Sequence, residues 1–214
     1  MVADPEPPAT SLATLSAAGR RRAAAVSGHL GDAVTARLLL ADPDARVRAT
    51  ALGALVRCGA LVPEELAGAV GDVDPAVRRR AAEVVAELTG SGAAAGVAIV
   101  GLLDDPDPTV VETAAWACGE RADPESGTVA RLAELAGQAD DALVREAAVA
   151  ALGSLGDPAG LPAILAATTD KATVRRRAVL ALAPFEGHDV QIALERARSD
   201  RDWQVRQAAE DLLG

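Results

Sequence analysis

His29 and His188 are the only histidines, and they stand near opposite ends of the 214-residue chain. Cys58 and Cys118 are the only cysteines. A nucleophile needs its base within hydrogen-bond reach, and this spacing offers no such pair. No Cys-x-x-Cys, His-x-x-x-His or glycine-rich phosphate loop occurs. The aspartates do not alternate as a calcium loop requires. The reading is no catalytic residue, no metal and no cofactor. The two cysteines read as buried free thiols, as expected in a reducing cytoplasm.

The remaining chemistry lies in arginines, carboxylates and one tryptophan. Three arginine triplets, 20–22, 78–80 and 175–177, suggest phosphate binding. Successive helix residues point about 100° apart, so a triplet is not one patch. The net charge of −10 also argues against general affinity for nucleic acid or anionic membranes. Trp116, Trp203 and Phe185 are the only aromatics. Trp116 has Glu112 four residues before it and reads either as an interface hot spot or as a filler among alanines. Trp203, at the start of the last predicted helix, reads as a cover for the end of the fold.

The elements that position these residues follow from a repeat. Asp-x-x-Val-Arg recurs about every 30 residues, the signature of a stacked array. Its copies are Asp44 to Arg48, Asp74 to Arg78, Asp141 to Arg145 and Asp202 to Arg206. Asp107 to Val110 is followed by Val111 in place of Arg, Val174-Arg175 is preceded by Lys171, and Arg21 fills a degenerate first slot. Each Asp sits at a helix N-cap position, with Pro75 and Pro108 at the first helical residue. Val144, Ala148, Val149, Leu152 and Leu155 then form one apolar face, and Gly156 ends the helix.

First helices are expected near 10–18, 32–41, 63–70, 93–103, 124–137, 158–168 and 188–199, which makes fourteen helices in seven pairs. An arginine in a first helical turn is disfavoured by the macrodipole, so its recurrence implies a partner. The expectation is a ladder joining Arg48, Arg78, Arg145, Arg175 and Arg206 to the cap-region aspartates Asp44, Asp74, Asp107, Asp141 and Asp202 of adjacent turns. Residues 1–9 read as a disordered tail and 10–214 as a single domain. The tail lacks the basic and apolar regions of a signal peptide.

The Asp-Pro-x-x-Val-Arg turn and the helix Ala148-Val149-Ala150-Ala151-Leu152-Gly153-Ser154-Leu155-Gly156 resemble the HEAT repeat family, specifically its short, phycobilisome-lyase-type variety. The resemblance implies an all-α, right-handed α-solenoid, with first helices convex and second helices concave. It implies a protein-binding scaffold more often than an enzyme. No His-Glu pairs recur as in the di-iron hydroxylase built from such repeats.

Second-helix positions two, three and six after Val should project from the packed face. They place Arg79, Arg80, Glu83, Glu112, Thr113, Trp116, Glu146, Arg176 and Arg177 on the predicted partner-binding surface. The leading reading is a cytoplasmic, non-catalytic adaptor gripping a protein or peptide there. One alternative is a DNA-repair glycosylase of the kind some HEAT-like repeat proteins resemble, using Trp116, Glu112 and Arg80. Another is a regulatory or assembly subunit of a separate enzyme. The apolar end at Leu212-Leu213 suggests self-association through the last repeat, and the Ala, Gly and Arg usage suggests a GC-rich bacterial source.

Overall fold

The computed structural model describes residues 12–90, 92–94 and 96–214. The predicted 1–9 tail lies outside the described residues. Twelve α-helices follow one another among the described residues. They are α1 (Ala17–Leu30), α2 (Ala33–Leu39), α3 (Ala45–Arg57), α4 (Pro63–Val70), α5 (Pro75–Glu87) and α6 (Pro108–Gly119). Then come α7 (Thr128–Gln138), α8 (Ala142–Leu155), α9 (Leu161–Ala167), α10 (Ala172–Ala181), α11 (His188–Ala197) and α12 (Trp203–Leu213). Three short 3₁₀ segments complete the helical content.

The helices form two layers. The second helices α1, α3, α5, α6, α8, α10 and α12 each pack on the next, and α2, α4, α7, α9 and α11 lie behind them. Each unit touches only its neighbours, which is the architecture of an α-solenoid. Val47, Val77, Val110, Val144, Val174 and Val205 are all buried, as the repeat predicts.

Of the expected fourteen α-helices, twelve form among the described residues. Among the described residues the first unit has only a 3₁₀ turn, Leu12–Thr14, before α1. The predicted helix 93–103 is replaced by irregular chain and a 3₁₀ helix, Val100–Asp104. Gly90 (φ 81°) and Gly96 (φ 72°) are left-handed, and a right-handed helix cannot run through such residues. The segment is tied down from the loop after α6. Glu125 accepts from Ile99 N (2.8 Å), and Arg121 Nη1 donates to Val97 O (2.9 Å).

The predicted caps form. Asp44, Asp74, Asp107, Asp141 and Asp202 each accept a backbone N–H two residues on, at 2.8–2.9 Å. They are not, however, the carboxylates of the ladder. Arg48 forks onto Asp72, Arg78 onto Asp105, Arg145 onto Asp170 and Arg175 onto Asp200. The rung aspartate thus precedes the cap by two residues, or by one at Asp170-Lys171. Each arginine also donates through Nη1 to a carbonyl of its own preceding turn, as Arg78 does to Asp72 O at 2.8 Å. The first rung belongs to Arg20, not Arg21, and reaches Asp42. Arg206 bonds only Asp200 O and Arg201 O among the described residues.

One rung is missing on both sides. Val111 holds the arginine position, and Ala139 stands two residues before the Asp141 cap, where the aspartate belongs. Losing one member alone would strand a charge, whereas exchanging both for apolar groups is close to neutral. At this junction Arg131 of α7 pairs instead with Asp104 (2.8 Å).

Close approach of the second helices depends on glycine at three equivalent positions. A Cβ on Gly28, Gly119 or Gly153 would lie 2.7–2.8 Å from the Cα of Ala54, Ala151 or Ala181 in the next second helix. Gly153→Ala is therefore expected to destabilise by about 1–2 kcal/mol through overpacking. The same change at Gly137, a helical site with nothing within 4 Å, should stabilise by up to about 1 kcal/mol. Urea midpoints of the two variants check the opposite signs.

Candidate functional site

Two hollows of the second-helix layer together collect most of the charged residues singled out from the sequence. The first lies over α6 and α8. It encloses about 280 Å³ and is lined by Glu112, Trp116, Glu120, Leu143, Glu146 and Arg177, among small residues of α8. Gly119 lets α6 and α8 close on each other at one end. Trp116 projects on the α6 face turned away from the core, and its side chain is 45 % exposed. Arg177 reaches Glu146 at 3.4 Å. Glu112 and Glu120 form no ion pair among the described residues.

The second hollow lies over α3 and α5 and encloses about 330 Å³. Arg21, Arg46, Arg57, Arg79 and Arg80 line it, with Glu83 as its single carboxylate. Arg80 is not free for a partner, because its Nη1 bonds Glu83 (2.9 Å) and Glu87 (2.8 Å). Its guanidinium also lies over Gly53, where a Cβ would meet it at 3.3 Å. Arg79 is exposed and approaches Glu83 at 3.8 Å.

The sequence therefore placed Glu112, Trp116, Glu146 and Arg177 together, and Arg79, Arg80 and Glu83 together. Thr113 and Arg176 lie outside both hollows. Thr113 Oγ1 bonds Thr109 O (2.9 Å). The set Trp116, Glu112 and Arg80 is divided between the two hollows, so it does not form one lesion pocket. Trp203, the first residue of α12, lies outside both hollows and is 64 % exposed.

Arg46, Arg57, Leu143 and Glu120 were missed. Arg46, Ala49, Thr50, Gly53 and Arg57 follow helical spacing along α3, so extending the stripe one residue before each Val and to the end of each helix would have found them.

The ladder runs beside this surface and fixes the spacing of its helices. The guanidinium forks hold Asp42, Asp105, Asp170 and Asp200 below the usual carboxylate range. At Asp72 burial pushes the other way, and the Arg48 fork and the Asp74 N–H more than offset it. A lowered folded pKa contributes stability that is present above the unfolded value, about 3.9, and is lost as pH falls through the folded value. The urea midpoint is expected to be nearly flat from neutrality to about pH 5 and to fall steeply below about pH 4.

Burial pushes the Cys118 thiol up to about 12, so it is not a nucleophile at neutral pH. Cys58 is half-buried, its Sγ 3.7 Å from Ser27 O. Both thiols are free. Among the described residues no three His, Cys, Asp or Glu side chains gather as a metal site, and no helix is long and apolar enough to cross a membrane.

A family model described as HEAT repeats matches residues 62–153, 97–183 and 129–214. No curated protein matches the chain. Among solved structures, YibA of E. coli is similar with a TM-score of 0.73 and 20 % identity, over 94 % of this chain and 78 % of that one. A designed armadillo repeat protein in complex with the peptide (KR)4 is similar with a TM-score of 0.64 and 21 % identity, over 86 % and 98 % of the two chains. Computationally designed armadillo repeat proteins for modular peptide recognition give 0.58 and 18 %, over 92 % and 93 %. At these identities the likenesses show the fold.

Proposed function

The chain belongs to the HEAT repeat family, and we propose that it is a non-catalytic adaptor whose second-helix face grips an extended segment of a partner protein. The observation that carries this is Trp116. A large aromatic, nearly half exposed, sits in a hollow rimmed by carboxylates and an arginine, beside the small residues Ala147, Ala150, Ala151 and Ser154 of α8. A half-sheltered aromatic surrounded by polar groups is the usual profile of an interface anchor. The designed armadillo proteins with a comparable fold recognise peptides, which supports the same use of this surface.

The glycosylase alternative loses support. Arg80 and Arg177 are paired with carboxylates, and Trp116 is the single aromatic lining either hollow.

The test is affinity capture of the tagged full chain from its own nuclease-treated lysate, beside Trp116→Ala. An Ile192→Ala chain, altered on the exposed side of α11, serves as control. A protein retained by wild type and the control but lost by Trp116→Ala supports the reading. A partner profile unchanged by Trp116→Ala overturns it.

A further inference from the structure

The two hollows carry opposite charge, which identifies a class of ligand. Glu112, Glu120 and Glu146 face Arg177 alone around Trp116. Over α3 and α5 five arginines face one glutamate. This basic hollow is notable in a chain whose net charge is −10, because the surface average would make it acidic. The free charges lie at the two ends of the surface. Glu112 and Glu120 are without ion partners among the described residues at one end, and so are Arg46 and Arg57 at the other.

We propose that the partner segment is bipolar. A cationic side chain lies over Trp116 between Glu112 and Glu120, and acidic side chains meet Arg46 and Arg57. This rests on the adaptor reading above and specifies its ligand. The indole face attracts a guanidinium or ammonium through its quadrupole, and the flanking carboxylates add charge-assisted hydrogen bonds. A neutral or anionic group on Trp116 would leave both carboxylates unpaired against it.

The spacing of the ligand follows from the helices. The hollows are separated by two second-helix steps, about 16–20 Å at usual packing distances. An extended chain rises about 3.3 Å per residue, so about five or six residues separate the two charged ends. Opposite charges at that separation set the register of the segment on the surface and exclude ligands of a single sign. Polyanionic nucleic acid would satisfy the α3–α5 hollow and be repelled at Trp116, so a protein segment is the favoured ligand.

The chain contains only two tryptophans and no tyrosine, so Trp203→Phe leaves Trp116 as the single indole reporter. This full-length variant is titrated at low salt with synthetic peptides. The first carries two arginines and two glutamates separated by six Gly/Ser residues, in both chain directions. The second has the same composition with the charges interleaved. A single-stranded DNA of equal length is the third probe.

The expected result is a change in Trp116 emission with one direction of the bipolar peptide, at an affinity about ten-fold or more above that of the interleaved peptide. Glu112→Gln with Glu120→Gln, two surface changes, should remove most of that preference. Equal affinity for the two peptides, an unchanged preference in the Gln variant, or tighter binding of the DNA overturns the proposal. Its failure is distinct from failure of the adaptor reading. Partner capture that still depends on Trp116 would keep the surface and discard only the charge pattern.

Discussion

Arg175→Ala is expected to lower the unfolding free energy by about 3 kcal/mol, the cost of breaking a buried pair from one side. Arg175 is 5 % exposed. Its fork holds both oxygens of Asp200 at 2.8 Å, and its Nη1 holds Asp170 O at 2.8 Å. Alanine strands the Asp200 carboxylate and one carbonyl and leaves a gap between turns. Lysine keeps the charge but cannot fork, so Arg175→Lys should lose most of the same stability. The exposed neighbour supplies the control: Arg176→Ala should change stability by less than about 0.5 kcal/mol.

Adding Asp200→Ala to Arg175→Ala should recover about 1–2 kcal/mol, because no stranded charge then remains. Recovery stays incomplete because Asp200 also accepts the Asp202 N–H (2.8 Å). The chain already contains this double exchange at Val111 and Ala139. Urea denaturation followed by circular dichroism reads these four variants and Asp200→Ala alone, which closes the cycle. Additive losses in the double variant would mean that the rung contributes nothing as a pair.

Trp116→Ala is expected to weaken partner binding by at least about 2 kcal/mol, roughly thirty-fold, the threshold of an interface anchor. Its effect on folding should be smaller. With nearly half the indole exposed, truncation removes partial apolar burial worth about 1 kcal/mol. The chain should therefore remain helical and cooperative while its affinity collapses. Trp203→Ala makes the comparison specific. Trp203 is the more exposed indole but lies on α12, outside both hollows, and its loss should leave affinity unchanged. Calorimetric titration of the captured partner against the three chains measures the difference. Equal losses from the two tryptophans would mean that neither anchors the interface.

Much of this architecture was legible in the sequence because it is written in local rules. The Val anchors, the Asp caps and Gly156 each act within a few residues of themselves. The ladder needed one further step. The spacing predicted that the arginines have partners but assigned them the Asp that caps the helix. That Asp is already committed to a backbone N–H, and a second Asp lies two residues earlier at 42, 72, 105 and 200. The recurring Asp-x-Asp was the available signal.

The fourth unit was misread for a different reason. Its Ala-rich stretch has helical composition, but left-handed glycines interrupt it, and Glu125 and Arg121 fasten it from the loop after α6. Those long-range contacts have no local signature. On the candidate surface, helical spacing put Glu112 and Trp116 on one hollow and Arg79, Arg80 and Glu83 on the other. Spacing does not show which charges are already paired, so Arg80 read as available although Glu83 and Glu87 hold it.

The most direct test of the adaptor account is site-specific photo-crosslinking in the native lysate. A benzophenone side chain replaces Ala147, which lines the Trp116 hollow, and in a second chain it replaces Ile192 on α11. The account predicts a discrete adduct with a partner protein from position 147, competed away by unlabelled wild-type chain, and none from position 192. An adduct formed from position 192 and absent from position 147 would contradict it and place the interface on the opposite layer.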